Sequence, residues 1–142
     1  LIHTKGAEKE ILEILNEYPN AKQIIQWYNG QKDIYLKLLE RGYYQTFGCQ
    51  TIRNEYLQEL LKLTPSNLIL AETDNPTAEP WLGGTDSSVN LIHRIYEDLA
   101  QILNTEKNEL EKIIWKNASI ILQAENKFTD TKSQKKADLS HP

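Results

Sequence analysis

The stretch that most restricts how this chain can fold runs from Asn67 to Pro76, Asn-Leu-Ile-Leu-Ala-Glu-Thr-Asp-Asn-Pro. Leu68, Ile69, Leu70 and Ala71 form an apolar run without alternation, which suits a parallel strand covered on both faces. Pro76, unable to donate to a ladder, marks where the strand stops. Ligands of α/β sheets gather at the carboxyl ends of the strands, and that is where Glu72 and Asp74 arrive. From spacing alone the two carboxylates either cap the turn that follows, as acidic side chains often do, or serve a metal ion or a proton.

Upstream, the same unit repeats. Leu1-Ile2-His3 reads as a strand end. Gly6 is a turn, and a helix follows with Ala7, Ile11, Ile14, Leu15 and Tyr18 at the spacing of one face. Ala21 to Tyr28 carries a second strand through Ile24 and Ile25, closed by the turn Asn29-Gly30. A helix over Lys32 to Glu40 directs Ile34, Tyr35, Leu38 and Leu39 inward, and strand three is Tyr43 to Phe47, closed by Gly48. The third helix, Asn54 to Leu63, leads through Pro65-Ser66 into the opening strand. Strands alternating with helices at this interval predict βαβ units and a parallel sheet.

After Asp74 comes a Pro- and Gly-rich loop, Asn75 to Gly84, and then Thr85-Asp86-Ser87-Ser88, any of which can cap a helix. That helix is expected to reach about Leu103 on Ile92, Ile95, Leu99 and Ile102. A last helix begins at Thr105, with Glu106 and Glu109 favourably placed against its dipole and Leu110, Ile113, Ile114 and Ile121 facing inward. The domain is expected to span 1–123. Residues 124–142, where apolar side chains thin to Phe128 and Leu139, read as a solvated or disordered tail.

A chain of 142 residues is long enough for one domain and too short for a complete (β/α) barrel, which needs roughly 250. It holds no methionine, so it reads as a fragment or a processed product. Content of 39% hydrophobic and 25% charged residues is that of a soluble globular protein, and no window approaches the ~20 apolar residues of a membrane span. Cys49, the single cysteine, excludes an internal disulfide and suits a reducing compartment, with cytoplasm the default. A net charge of −4 offers no basic surface for nonspecific duplex binding.

The phrase Glu72-Thr73-Asp74-Asn75-Pro76 after an aliphatic strand resembles the last-strand motif of the TatD family of metal-dependent deoxyribonucleases. His3-Thr4-Lys5-Gly6-Ala7-Glu8 is similar to that family's strand-end His-Ser-Arg-Gly-Ala-Glu phrase, with Lys5 where arginine is more usual. The resemblance runs from Leu1 to about Gln123 and corresponds to the family's C-terminal half. It implies an α/β fold, the C-terminal half of a TIM-type (β/α) barrel with four parallel strands and outer helices, and a mouth lined by His3, Gln26, Gly48, Glu72 and Asp74. It implies His3 and Asp74 as metal ligands, Asp74 as the catalytic carboxylate, and divalent ions (Mg, Mn or Zn) as cofactors. Gln26 stands where the family has a second histidine ligand, a departure that puts one metal position in doubt; Gln26 and Glu72 remain candidates for metal or substrate. The family's His-x-His and a further glutamate have no counterpart in this stretch.

The implied function is hydrolysis of phosphodiester bonds in DNA, with single-stranded ends the expected substrate, in housekeeping or antiphage defence. The alternative is a catalytically weakened barrel acting as a binding or assembly subunit. Trp81, on the loop after the acidic strand, and Lys5 are the candidate substrate contacts, since base stacking on an aromatic ring contributes ~1–3 kcal/mol. Trp27 reads more readily as packing. His93 and Cys49 have no supporting partners at useful spacing, and the glycosylation pattern Asn117-Ala-Ser falls inside a helix, where use is not expected. A half-barrel leaves two sheet edges that need the missing N-terminal half or self-association.

Overall fold

The computed structural model describes residues 1–76 and 88–137, with side chains described as far as Leu122. Four strand–helix units follow one another: β1 (Ile2–His3), α1 (Glu8–Asn16), β2 (Ile24–Gln26), α2 (Lys32–Glu40), β3 (Tyr44–Phe47), α3 (Glu55–Leu63) and β4 (Ile69–Ala71). Single 3-10 turns, Thr51–Arg53 and Ser66–Leu68, flank α3, and α4 (Leu91–Leu103) and α5 (Lys107–Ala137) are the remaining elements among the described residues. The strands lie in the order β1-β2-β3-β4, every pair parallel. This is the α/β architecture expected from the alternation of patterns.

Local chemistry accounts for the helix ends. Asn54, in extended backbone, caps α3 by accepting a hydrogen bond from the Leu57 amide (3.2 Å), the usual arrangement for an N-cap asparagine. Gly42 (φ 71°) and Asn104 (φ 51°) end α2 and α4 in the left-handed conformation that these two residue types tolerate best.

Packing corrects two of the expected helix faces. In α1 the buried pair is Leu12 and Leu15, whereas Ile14 and Tyr18 are each 58% exposed. Asn16 is tied to Arg41 beside α2, and Ile14, two residues earlier, points about 200° away round the helix. In α4 the fully buried stripe is Leu91, Ile95 and Leu99, with Ile92 and Ile102 only partly covered. The second strand is shorter than expected, because the chain turns into left-handed backbone at Trp27.

Asn117 has a structural role. It is buried, and its Nδ2 donates to the carbonyls of Ser66 (2.9 Å) and Ile69 (2.8 Å), locking α5 onto the entry of β4. The glycosylation pattern is therefore folded into the core. Asn117→Ala leaves two carbonyls without their donor and is expected to lower stability by about 1–3 kcal/mol, measured by urea unfolding. The segment 124–142 read as a tail carries helical backbone to Ala137; its side chains, and residues 138–142 altogether, lie outside the described residues.

Strands β1 and β4 stand at the two ends of the sheet. Unpaired edges of parallel strands seek partners, so this 142-residue polypeptide produced alone is expected to associate or precipitate. Light scattering that found a monodisperse, cooperatively melting monomer would contradict this.

Candidate active site

Parallel pairing lines up all the strand ends on one rim. His3 is the register partner of Gln26, and Ile25 pairs with Gln45, which sets Gln26 opposite Thr46. Thr46 pairs with Leu70, two residues short of Glu72. Side chains two apart on a strand share a face, so Thr46 and Glu72 meet.

The contacts make one network. Thr46 Oγ1 donates to Glu72 Oε1 (2.7 Å) and accepts from the Trp27 amide (3.3 Å). Gln26 Nε2 donates to Asp74 Oδ1 (2.9 Å). Residues from β2, β3 and the end of β4 are thereby joined around two carboxylates. His3 sits exposed at the neighbouring strand end.

The rim is backbone-strained. Lys5 (φ 39°), Trp27 (φ 48°) and Asp74 (φ 48°) are left-handed without being glycine, and they follow the ends of β1, β2 and β4 by two, one and three residues. Such backbone costs about 1–2 kcal/mol per residue, and its concentration at one edge marks a site where position outweighs local comfort. Gly48 permits a close approach of backbone: a Cβ there would stand 2.8 Å from the Glu72 carbonyl oxygen.

Burial pushes the Glu72 carboxyl up to about 6, with Asp74 adding to the rise while the hydrogen bonds from Thr46, Gln26 and the Trp27 amide oppose it. Because the folded value lies above the ordinary 4.5, the native state holds a proton that the unfolded chain releases. In chelator-treated buffer, stability is therefore expected to fall by about 2 kcal/mol as pH rises from 4.5 through 6 and beyond. Unfolding of Glu72→Gln should lack this component of the slope.

Of the residues singled out from sequence, the structure joins Gln26, Glu72 and Asp74 and sets His3 on the adjacent strand end. Lys5 follows His3 in the strained turn, and Trp81 lies outside the described residues. Thr46 was missed. Its only signal is a hydroxyl beside Gln45 in an otherwise aromatic strand, and nothing local says that the hydroxyl faces Glu72. Trp27 packs partly buried against the core, His93 is exposed, and Cys49 is buried. Among the described residues, no three His, Cys, Asp or Glu side chains cluster closely enough to hold a metal ion. His3, Glu72 and Asp74 therefore do not by themselves form a cation site among the described residues.

A four-stranded parallel sheet with its helices outside is the architecture of half of a (β/α) barrel. The TatD-related DNase family model matches residues 1–123, and the chain belongs to that family. It is 31% identical to an uncharacterised metal-dependent hydrolase of Mycoplasma genitalium, over 83% of this chain and 48% of that protein. It is 24% identical to deoxyribonuclease TATDN3 of Homo sapiens, over 82% of this chain and 42% of the other. Among solved structures, the Escherichia coli TatD homologue YJJV superposes with a TM-score of 0.68 at 16% identity, over 81% of this chain and 46% of that one. An uncharacterised Saccharomyces cerevisiae amidohydrolase gives 0.71 at 13% identity, over 84% and 52%. The chain thus spans about half the length of the relatives it matches.

Proposed function

We propose that this chain supplies the acidic half of the active site of a metal-dependent hydrolase that cleaves phosphodiester bonds of DNA, acting on single-stranded ends. The observation that carries the reading is the junction of Asp74 and Glu72 through Gln26 and Thr46 at the carboxyl rim, in a chain of the TatD-related DNase family. In this reading His3 and Asp74 are metal ligands, and the rest of the shell comes from barrel strands that this stretch does not contain. Asp74 serves the reacting phosphate directly. Glu72 is held in place by Thr46 for metal or substrate, and Lys5 and Trp81 contact the nucleic acid, the ring by stacking.

The relatives named as metal-dependent hydrolases and deoxyribonuclease support the reading. Among the described residues no helix is long and apolar enough to cross a membrane. The test is degradation of end-labelled single strands by the complete protein with Mg or Mn. Cleavage that stops with EDTA supports the reading. Absence of cleavage with every divalent ion tried rejects it in favour of the binding or assembly role, which the incomplete acidic cluster and Gln26 would then explain.

A further inference from the structure

The third strand and the turn after it carry buried polar groups that the rim network does not use. Gln45, Gln50 and Thr51 are 1%, 6% and 0% exposed, and each holds a buried side-chain oxygen without a hydrogen-bond partner. All three line one cavity of about 10 Å³, walled on its apolar side by Tyr35 of α2 and by Leu57 and Leu60 of α3. The other polar side chains on its walls are engaged elsewhere. Tyr28 Oη donates to the Gln31 carbonyl (2.6 Å), Tyr35 Oη pairs with Thr64 Oγ1, and Thr46 Oγ1 donates to Glu72. Buried oxygens left unpaired are costly and uncommon, so three on one cavity require a partner.

The three groups cannot satisfy one another. Gln45 Nε2 donates to the Tyr43 carbonyl (3.1 Å), which orients the amide and leaves Oε1 to accept. Gln50 Oε1 also only accepts, and the Thr51 hydroxyl has a single proton to give. A water molecule completes the set: its two protons go to the two amide oxygens, and its own oxygen accepts from Thr51. That makes the roughly three bonds typical of a buried water, in a space that holds about one. A cation fits worse. Hard cations gather roughly six oxygens, none of the described residues lining the cavity is charged, and an uncompensated buried charge is expensive.

We propose that this cavity is a binding site for one internal water, which fastens Gln45 of β3 to Gln50 and Thr51 in the turn that follows Gly48. The inference is independent of the hydrolase reading. Gln50 Oε1 and the Glu72 carbonyl oxygen both lie 2.8 Å from the position a Cβ on Gly48 would take, so the turn held by this water is the one packed against the rim.

The first test is a high-resolution crystal structure of the complete wild-type protein. An ordered water within hydrogen-bond distance of Gln45 Oε1, Gln50 Oε1 and Thr51 Oγ1 is expected. An empty cavity, a metal ion in it, or side chains repacked to bond one another directly would overturn the proposal. The second test counts long-lived waters in solution by magnetic relaxation dispersion of the solvent. Thr51→Val keeps the shape of the side chain and removes its donor, and is expected to lose one long-lived water relative to wild type, whereas Thr51→Ser retains it. An unchanged count in Thr51→Val also overturns the proposal. Should Thr51→Val fail to fold, the wild-type electron density decides alone.

Discussion

Asp74→Asn in the complete protein is expected to reduce DNA hydrolysis by on the order of 10²–10⁴-fold, the usual effect of removing a positioned acid–base group, with little change in melting temperature. The substitution is structurally mild for two reasons. Asp74 occupies left-handed backbone (φ 48°), which asparagine adopts as readily as aspartate, and an asparagine oxygen can still accept from the Gln26 amide. What is lost is the charge, which in the proposed role serves both as metal ligand and toward the phosphate. Single-turnover cleavage of a labelled strand, beside a thermal melt, separates the two properties. Normal rates with Mg or Mn would remove Asp74 from the mechanism.

Gly48→Ala should act on stability and activity together. The new methyl group would stand 2.8 Å from the Glu72 carbonyl oxygen, 2.8 Å from Gln50 Oε1 and 3.3 Å from Glu72 Cγ. Gln50 can swing aside, but the Glu72 carbonyl belongs to the backbone leaving β4. That backbone is already fixed by the hydrogen bond from the Glu72 amide to Phe47 O (3.0 Å). Relief therefore requires β3 and β4 to part at the rim. Overpacking of this kind costs about 1–3 kcal/mol, and the movement carries the Glu72 carboxylate away from Thr46. Both a lower urea midpoint and a loss of hydrolysis are expected in the complete protein; an unchanged midpoint would show that the strand ends have more slack than the contact distances imply.

The limits of sequence reading appear at particular residues. The four strand–helix units were legible because the units are local: Leu68 to Ala71 is apolar without alternation, Asn29-Gly30 is a turn, and Gly48 closes the third strand. The rotation of α1 was less legible, since Ile11, Leu12, Ile14 and Leu15 allow more than one stripe and only packing beside α2 selects Leu12 over Ile14. Asn117 offered a glycosylation pattern and no hint that it binds carbonyls 51 and 48 residues earlier. Thr46 lies in the same position at the site. Its hydroxyl matters only through Glu72, 26 residues on.

Local order by itself determined the parallel α/β class, the positions of the turns and the delivery of His3, Gln26, Glu72 and Asp74 to strand ends, because periodicity, caps and breakers act within a few residues of one another. Only the tertiary structure decided which of those ends touch. Register set Gln26 opposite Thr46, and the left-handed backbone at Trp27 and Asp74 shaped the rim where the Gln26 amide meets Asp74 and the Thr46 hydroxyl meets Glu72. Those contacts join residues 26 to 48 apart in the chain, and no local preference encodes a hydrogen bond at that distance.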